Sequence, residues 1–339
     1  MARWFSRLSR RRRVRRRRWI YVISGLVIII LVVFIRGREP SSKDEGGGRS
    51  SDMSTAQVGE TSAPVVATEP EPKLLEVELA PTGEPNPKVE QLIAEATEHL
   101  NAKPARIIES RDRLNEALPL AMSSKQRAYV KEQLSKLADM WLFSRTIYPE
   151  DRLCGAYEVK AGELLSTIGT KFKLPYEILL EINNISRAEA LQAGETIKVI
   201  NGPFHARIYR STFTMDLYLQ HTFVRSFPVG LGKAGMETPT GLWAVKAGGK
   251  LIKPTWTDPI SGRKYESDDP DYPLGSRWVG LEGLRGDAVG RMGFAIHGTR
   301  KPEEIGTAGS QGCVRLHNGD AILVYNLLVP VYSRVEIVE

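Results

Sequence analysis

"HARIYRSTFTMDLYLQHTFVRSFPVGLG", residues His205 to Gly232, alternates apolar and polar residues in short runs separated by turn-forming positions. "TGLWAVKAGG", Thr240 to Gly249, continues the pattern at roughly ten-residue spacing, which predicts a compact all-β sandwich or barrel. The terminal "SRVEIVE", Ser333 to Glu339, supplies another strand. One short helix is predicted from Asn318 to about Leu328, with Asn318 as its cap and Ala321, Val324 and Leu328 among its apolar positions. Residues 203–339 therefore read as a mainly β domain.

Just before that helix lies "HGTRKPEEIGTAGSQGCVRLHN", His297 to Asn318, in a chain with two cysteines and five histidines. A thiol at its ordinary pKa of about 8.5 is mostly protonated at neutral pH, so attack on an acyl carbon needs an imidazole or a helix terminus beside it. His297, at the end of the apolar run "MGFAIHG", is a candidate base, because a strand end aims the ring. Gly312 permits a tight backbone at "SQGCVRL", whose amides can face a developing oxyanion, and Arg315 can dock a carboxylate or a peptide carbonyl. Two other readings stand beside this one. Cys313, His297 and His317 could ligate a metal, although no CxxC or HExxH pattern accompanies them. Cys154 and Cys313 could form a disulfide in an extracytoplasmic chain.

The formal charge of +7 is unevenly placed: Met1 to Arg38 holds 12 arginines and no acid, leaving 35 basic against 40 acidic residues elsewhere. Basicity confined to a tail that abuts an apolar run argues against nucleic acid as a partner. From Trp19 to Ile35 run 17 uncharged residues, within the lower range for a spanning helix. Ten arginines precede the run, so the expected topology is a single-pass anchor (19–35) with a cytoplasmic tail (1–18) and the remainder outside. A cleaved signal peptide is the competing reading, but "FIRGRE" lacks a small-residue exit. Residues 36–86, rich in Gly, Ser, Pro, Thr and Glu, read as a disordered linker with a reach of roughly 40 Å.

Helical periodicity then takes over across 87–150. Val89, Leu92, Ile93, Ala96 and Leu100 mark one helix, and Ile107, Ile108, Leu114 and Leu118 a second. A third starts at "SSKQ", where Ser123 and Gln126 have capping-box spacing, and runs through Tyr129, Val130, Leu134, Leu137, Ala138 and Trp141. The group weakly resembles a tetratricopeptide-like hairpin and reads as a spacer bundle without a site. Residues 156–201 follow as strand, two helices (Leu164 to Phe172 and Tyr176 to Ile182) and strand.

That βααβ segment resembles the LysM module: Tyr157-x-Val159-x-x-Gly162, Leu165, Ile168, Leu179, Asn183 and Leu191-x-x-Gly194-x-x-Ile197 carry the likeness. The resemblance implies binding of N-acetylglucosamine-containing glycan through Gly162, Glu163, Leu164 and Leu165 on one side and Asn183, Asn184 and Ile185 on the other. Glu163-Leu164 stands where the family usually has Asp-Thr, so the sugar-contacting loop departs from the pattern.

Residues 203–339 resemble the catalytic domain of L,D-transpeptidases, the YkuD-like cysteine enzymes of bacterial cell walls. "ETPTG" (Glu237 to Gly241), "GFAIHGT" (Gly293 to Thr299) and "SQGCVRLHN" (Ser310 to Asn318) carry this likeness, with Gln311 where many members have histidine. The resemblance implies Cys313 as nucleophile, His297 as general base and the Gly298 carbonyl as its orienter. It also implies an oxyanion pocket shaped by Ser310 and the backbone of Gly312 and Cys313, with Arg315 supporting substrate and loop. His317 is the alternative base. Trp243, Trp256 and Trp278 read as core or cleft-wall aromatics, with Trp278 a candidate substrate contact, and Lys253 to Trp278 as either a lid or a disordered insertion.

Together these readings describe a multidomain, membrane-anchored enzyme that forms 3-3 cross-links, with its catalytic domain in the periplasm. Its partners are peptidoglycan stem peptides and glycan strands, a monomer is expected, and neither a metal nor a cofactor is required. The alternative is a catalytically weak tether between membrane and wall. Cys313 must stay reduced, so Cys154 should not be its partner.

Overall fold

The computed structural model describes residues 82–339. The arginine tail, the apolar run 19–35 and nearly all of the 36–86 segment lie outside the described residues. Among the described residues no helix is long and apolar enough to cross a membrane.

Three helices open the described chain: α1 (Pro87–Asn101), α2 (Ile107–Ala117) and α3 (Ser124–Trp141). Ser123 and Gln126 form the capping box that their spacing predicts. Gln126 does more than cap, because its side chain also accepts from the Asn86 N–H at 2.9 Å and donates to the Asn86 carbonyl at 3.0 Å. It thereby pins the start of α1 to the start of α3. Val89, Leu92, Leu114, Val130, Leu134, Leu137 and Trp141 face inwards. Tyr129, read as part of the apolar stripe, is 42% exposed: α3 rotates the stripe so that Val130 takes the core position beside it.

The βααβ segment forms as β1 (Cys154–Glu158), α4 (Leu165–Lys171), α5 (Tyr176–Asn183) and β2 (Thr196–Ile200), with β1 and β2 antiparallel. Two of its seven predicted glycan-contacting residues are structural instead. Leu165 is buried in the first turn of α4. Asn183 is also buried; its amide donates to the carbonyls of Leu179 and Lys198 at 2.9 and 2.8 Å and accepts from the Lys198 N–H at 2.7 Å, fastening α5 to β2. Gly162, Glu163, Leu164, Asn184 and Ile185 stay at least partly exposed. Glu163 closes its own loop by accepting from the Tyr157 hydroxyl at 2.8 Å and the Lys160 N–H at 2.9 Å.

The β-rich region contributes β3 (Phe204–Tyr209), β4 (Thr214–Leu219), β5 (Thr222–Pro228), β6 (Leu231–Gly232), β7 (Gly241–Leu251), β8 (Trp256–Thr257), β9 (Lys264–Tyr265), β10 (Trp278–Arg285), β11 (Ala295–His297), β12 (Ala308–Ser310) and β13 (Val314–Arg315), then α6 (Asn318–Leu327) and β14 (Arg334–Val338). Of the expected sandwich or barrel, the form adopted is a single curled sheet. Eight strands form one mixed sheet in the order β13-β11-β10-β7-β14-β3-β4-β5. Register shifts along the β7–β10 pair bend it, as bulges do, and it curls until an isolated Gly230–Arg315 bridge joins its two ends. Alternation along each strand predicted strands correctly but cannot distinguish two stacked sheets from one sheet rolled on itself.

The helices are packed into this unit. The N–H of Phe223, on the end strand β5, donates to the Asn115 side chain at 2.8 Å, and Lys131 of α3 pairs with the buried Asp216 of β4 at 2.5 Å. A helix side chain thus satisfies an edge-strand donor that would otherwise be open to pairing. Lys198 of β2 is 1% exposed, and its ammonium donates to the carbonyls of Trp141, of Ser144 at 2.9 Å and of Thr146 at 2.7 Å. It closes the C-terminal end of α3, where orphan carbonyls and the helix dipole favour a cation. Lys198→Met leaves those carbonyls buried and unpaired. It should lower the melting temperature by about 5 °C or more, corresponding to at least about 2 kcal/mol, while exposed Lys136→Met should shift it by about 1 °C. Scanning calorimetry of both variants checks this.

Candidate active site

Three neighbouring strands set out the site. Trp278 on β10 is the register partner of His297 on β11, and His297 is the register partner of Arg315 on β13. The Trp278 and His297 rings stack, with centroids 5.5 Å apart and planes 16° from parallel. Side chains at paired positions share a face, so the sheet itself places indole, imidazole and guanidinium side by side.

These residues and Cys313 line a cleft of about 340 Å³. His297 is buried, and its Nδ1 lies 2.6 Å from the Gly298 carbonyl. A carbonyl only accepts, so Nδ1 carries the proton of the neutral ring. Burial pulls the His297 pKa down to about 4, opposed by the backbone carbonyl of Gly298. Burial likewise pushes the Cys313 thiol up to about 11, with a backbone bond to Ala295 and the positive charge of Arg315 acting the other way. Both shifts favour an uncharged thiol and an uncharged imidazole at neutral pH. The thiol lies 3.6 Å from the Gly293 carbonyl.

The loop carrying Cys313 is braced from within. Ser310 is buried, its hydroxyl donates to the Cys313 carbonyl at 2.6 Å and it accepts from the Gly312 N–H at 3.0 Å. The Gly312 amide is thereby committed to Ser310, which leaves the Cys313 amide as the remaining donor of that pair. Gly312 adopts φ +109°, and a Cβ there would sit 2.8 Å from the Phe294 ring, so only glycine fits.

Two other local expectations change. Asn318 does not cap α6; that position belongs to His317, whose backbone carbonyl accepts from the Ala321 N–H at 2.9 Å and whose side chain makes no capping bond. Asn318 instead accepts from the Ser276 N–H at 3.0 Å and donates to the Thr299 carbonyl at 2.9 Å, tying the insertion to the exit of β11. His317 is exposed and is not among the residues that line the cleft.

Lys253 to Trp278 is an ordered structure, with β8 and β9 paired into a hairpin and the Tyr272 hydroxyl donating to the Pro254 carbonyl at 2.6 Å. Trp256, Asp258, Tyr265 and Asp271 from this insertion wall the cleft. Asp258 is held below the usual carboxylate range, first by the Ile260 N–H, with a smaller contribution from the Gln311 side chain on the Cys313 loop. Asp271 pairs with Arg300 across the cleft mouth. Sequence reading missed Glu304, which sits in a single 3₁₀ turn (Pro302–Glu304) and pairs with both Arg315 and Lys301. No periodicity connects positions 304 and 315, and only the closed loop brings them together.

Cys154 and Cys313 are both free thiols. Cys154 is buried in β1, where withdrawal from solvent pushes its thiol up to about 12. Among the described residues no group of three His, Cys, Asp or Glu side chains is arranged to hold a metal ion.

Comparison with known proteins decides the family. The profile described as the L,D-transpeptidase catalytic domain matches residues 203–337, and the LysM domain profile matches 157–199. A Bacillus subtilis protein named L,D-transpeptidase YkuD is 30% identical over 188 residues, covering 53% of this chain and 97% of that protein. The chain belongs to the L,D-transpeptidase family. An Escherichia coli relative, L,D-transpeptidase ErfK/SrfK, is 37% identical over 127 residues, 34% of this chain and 37% of that one. Among solved structures, L,D-transpeptidase 3 from Mycobacterium tuberculosis aligns at 20% identity with a TM-score of 0.33, over 43% of this chain and 66% of that one. As an L,D-transpeptidase, the protein is an acyltransferase of peptidoglycan, and its LysM domain supports peptidoglycan binding as well.

Proposed function

We propose that Cys313 is the nucleophile of a membrane-anchored L,D-transpeptidase that forms 3-3 cross-links, with His297 as its base. One observation carries the reading: Trp278, His297 and Arg315 lie side by side on adjacent strands around the cleft that Cys313 lines. The Cys313 sulfur attacks the carbonyl at the L-centre of the diamino acid in a tetrapeptide stem, and its proton passes to His297. The tetrahedral oxyanion is met by the Cys313 amide. The bond to the terminal D-alanine breaks, that amine takes the proton from His297, and a thioester remains. An acceptor amine then attacks the thioester, gives its proton to His297 and forms the new amide, and the thiol is restored. Electrostatic stabilisation and proton transfer each contribute, and no group beyond this chain's own residues is needed for either.

Arg315 supports the stem peptide and the loop, and Trp278 packs against His297 and the substrate. The LysM surface at Gly162, Glu163, Leu164, Asn184 and Ile185 holds the glycan strand. The apolar run 19–35, preceded by ten arginines, anchors the chain in the cytoplasmic membrane with the catalytic domain outside. Mass spectrometry of tetrapeptide muropeptides incubated with the purified chain tests this. Loss of D-alanine and a cross-linked dimer are expected, together with a thioester adduct on the tryptic peptide containing Cys313. Unchanged muropeptides with a folded protein would sink the proposal.

A further inference from the structure

The Cys313 cleft has an excess of fixed positive charge on one side. Arg315 follows the thiol by two residues and reaches the cleft from β13, and Lys301 reaches it from the segment after β11. Both cations converge on one carboxylate. Glu304 accepts from Lys301 at 2.9 Å through Oε1 and from Arg315 through Oε2. Its Arg315 partner is only 21% exposed in its side chain, and Glu304 itself 25%, so the pair is sheltered enough for its charge to matter. The other charged pair at the cleft, Arg300 with Asp271, is internally compensated, and Asp258 on the hairpin is engaged by Ile260 and Gln311. The backbone completes the arrangement: Arg315 exchanges two hydrogen bonds with Gly230, at 2.8 and 2.9 Å, so its main chain cannot shift to follow its side chain.

We infer that Glu304 is a positioning residue for the acyl-transfer site, fixing the Arg315 guanidinium in the cleft wall and offsetting its charge beside the Cys313 thiol. This rests on the reading of Cys313 as the reactive thiol. Arg315 stabilises the thiolate and disfavours the imidazolium of His297, as the direction of its influence on both groups indicates. A full, uncompensated cation would favour a free thiolate while weakening its proton partner; a compensated one keeps the pair neutral until substrate arrives. The single turn Pro302–Glu304 is the means, because it points one carboxylate at both cations from one short segment.

Glu304→Gln keeps an oxygen for Arg315 but removes the compensating charge, and Glu304→Asp keeps the charge on a shorter arm. The probe is iodoacetamide, with the adduct on Cys313 quantified by peptide mass spectrometry; Cys154 is buried and serves as an internal unreactive site. Glu304→Gln should be alkylated about threefold faster than the parent chain at pH 8, since the rate follows the thiolate fraction. Glu304→Asp should stay within about twofold of the parent. In an Arg315→Met background, Glu304→Gln should change nothing, because the carboxylate acts through the guanidinium. Equal alkylation of Glu304→Gln and parent at equal melting temperature overturns the inference, as does an effect that survives in Arg315→Met. The readout needs no acyl transfer, so it separates failure of this inference from failure of the proposed reaction.

Discussion

Cys313→Ala should abolish release of D-alanine from tetrapeptide muropeptides, a loss of at least about 10⁴-fold, because the proposed acyl-enzyme cannot form without the sulfur. The fold should be indifferent to the change. Cys313 is half-buried in a loop braced by the Ser310 hydroxyl, which bonds the backbone of Gly312 and Cys313 rather than the thiol. Loss of one sulfur there should move the melting temperature by no more than about 2 °C. Retention on purified sacculi should survive, since the exposed LysM positions lie on a different part of the chain. A Cys313→Ala protein that still releases D-alanine at the parent rate would remove the thiol from the chemistry altogether. A catalytically weak tether predicts the opposite pattern in the parent chain, with binding but no release.

The second large effect concerns protons. The proposed reaction requires Cys313 and His297 to hold one transferable proton between them, with the imidazole neutral and the thiol protonated before substrate engages. His297 is held down to about 4 by burial, so the proposed base stays neutral across the neutral range and is lost to protonation as pH falls through about 4. Cys313 is held up to about 11 by burial, so the proton needed by the leaving amine is lost only as pH rises through about 11. The profile of kcat/KM against pH should therefore be a broad plateau with an acid limb near 4 and an alkaline limb near 11. His297→Gln should lower kcat by about 10³-fold and erase the acid limb, because glutamine can occupy the space and bond the Gly298 carbonyl but cannot take a proton. An acid limb unchanged in His297→Gln would assign it to another group.

Much of this was legible in the sequence. The alternation from His205 to Gly232 predicted strands that form at Phe204–Tyr209, Thr214–Leu219 and Thr222–Pro228, and Ser123 with Gln126 forms the capping box their spacing predicts. Such features depend on residues within a few positions of one another. Side-chain orientation was less legible. Asn318 has the chemistry of a helix cap, yet Ser276 and Thr299 claim its amide, and the cap falls to the backbone of His317. Asn183 and Leu165 sit in a segment whose pattern marks glycan contact, yet the small LysM core needs both.

What the sequence by itself determined is the inventory: a β-rich C-terminal domain, a βααβ module and a histidine, cysteine and arginine within 19 residues of one another. What only the tertiary structure decided is their adjacency. Trp278, His297 and Arg315 become neighbours through pairing of β10, β11 and β13, and Glu304 meets Arg315 because the loop between β11 and β13 folds back. Local sequence encodes dihedral and burial preferences over one period of helix or strand. Strand order and register are set by the summed packing of the whole sheet, which no short window contains.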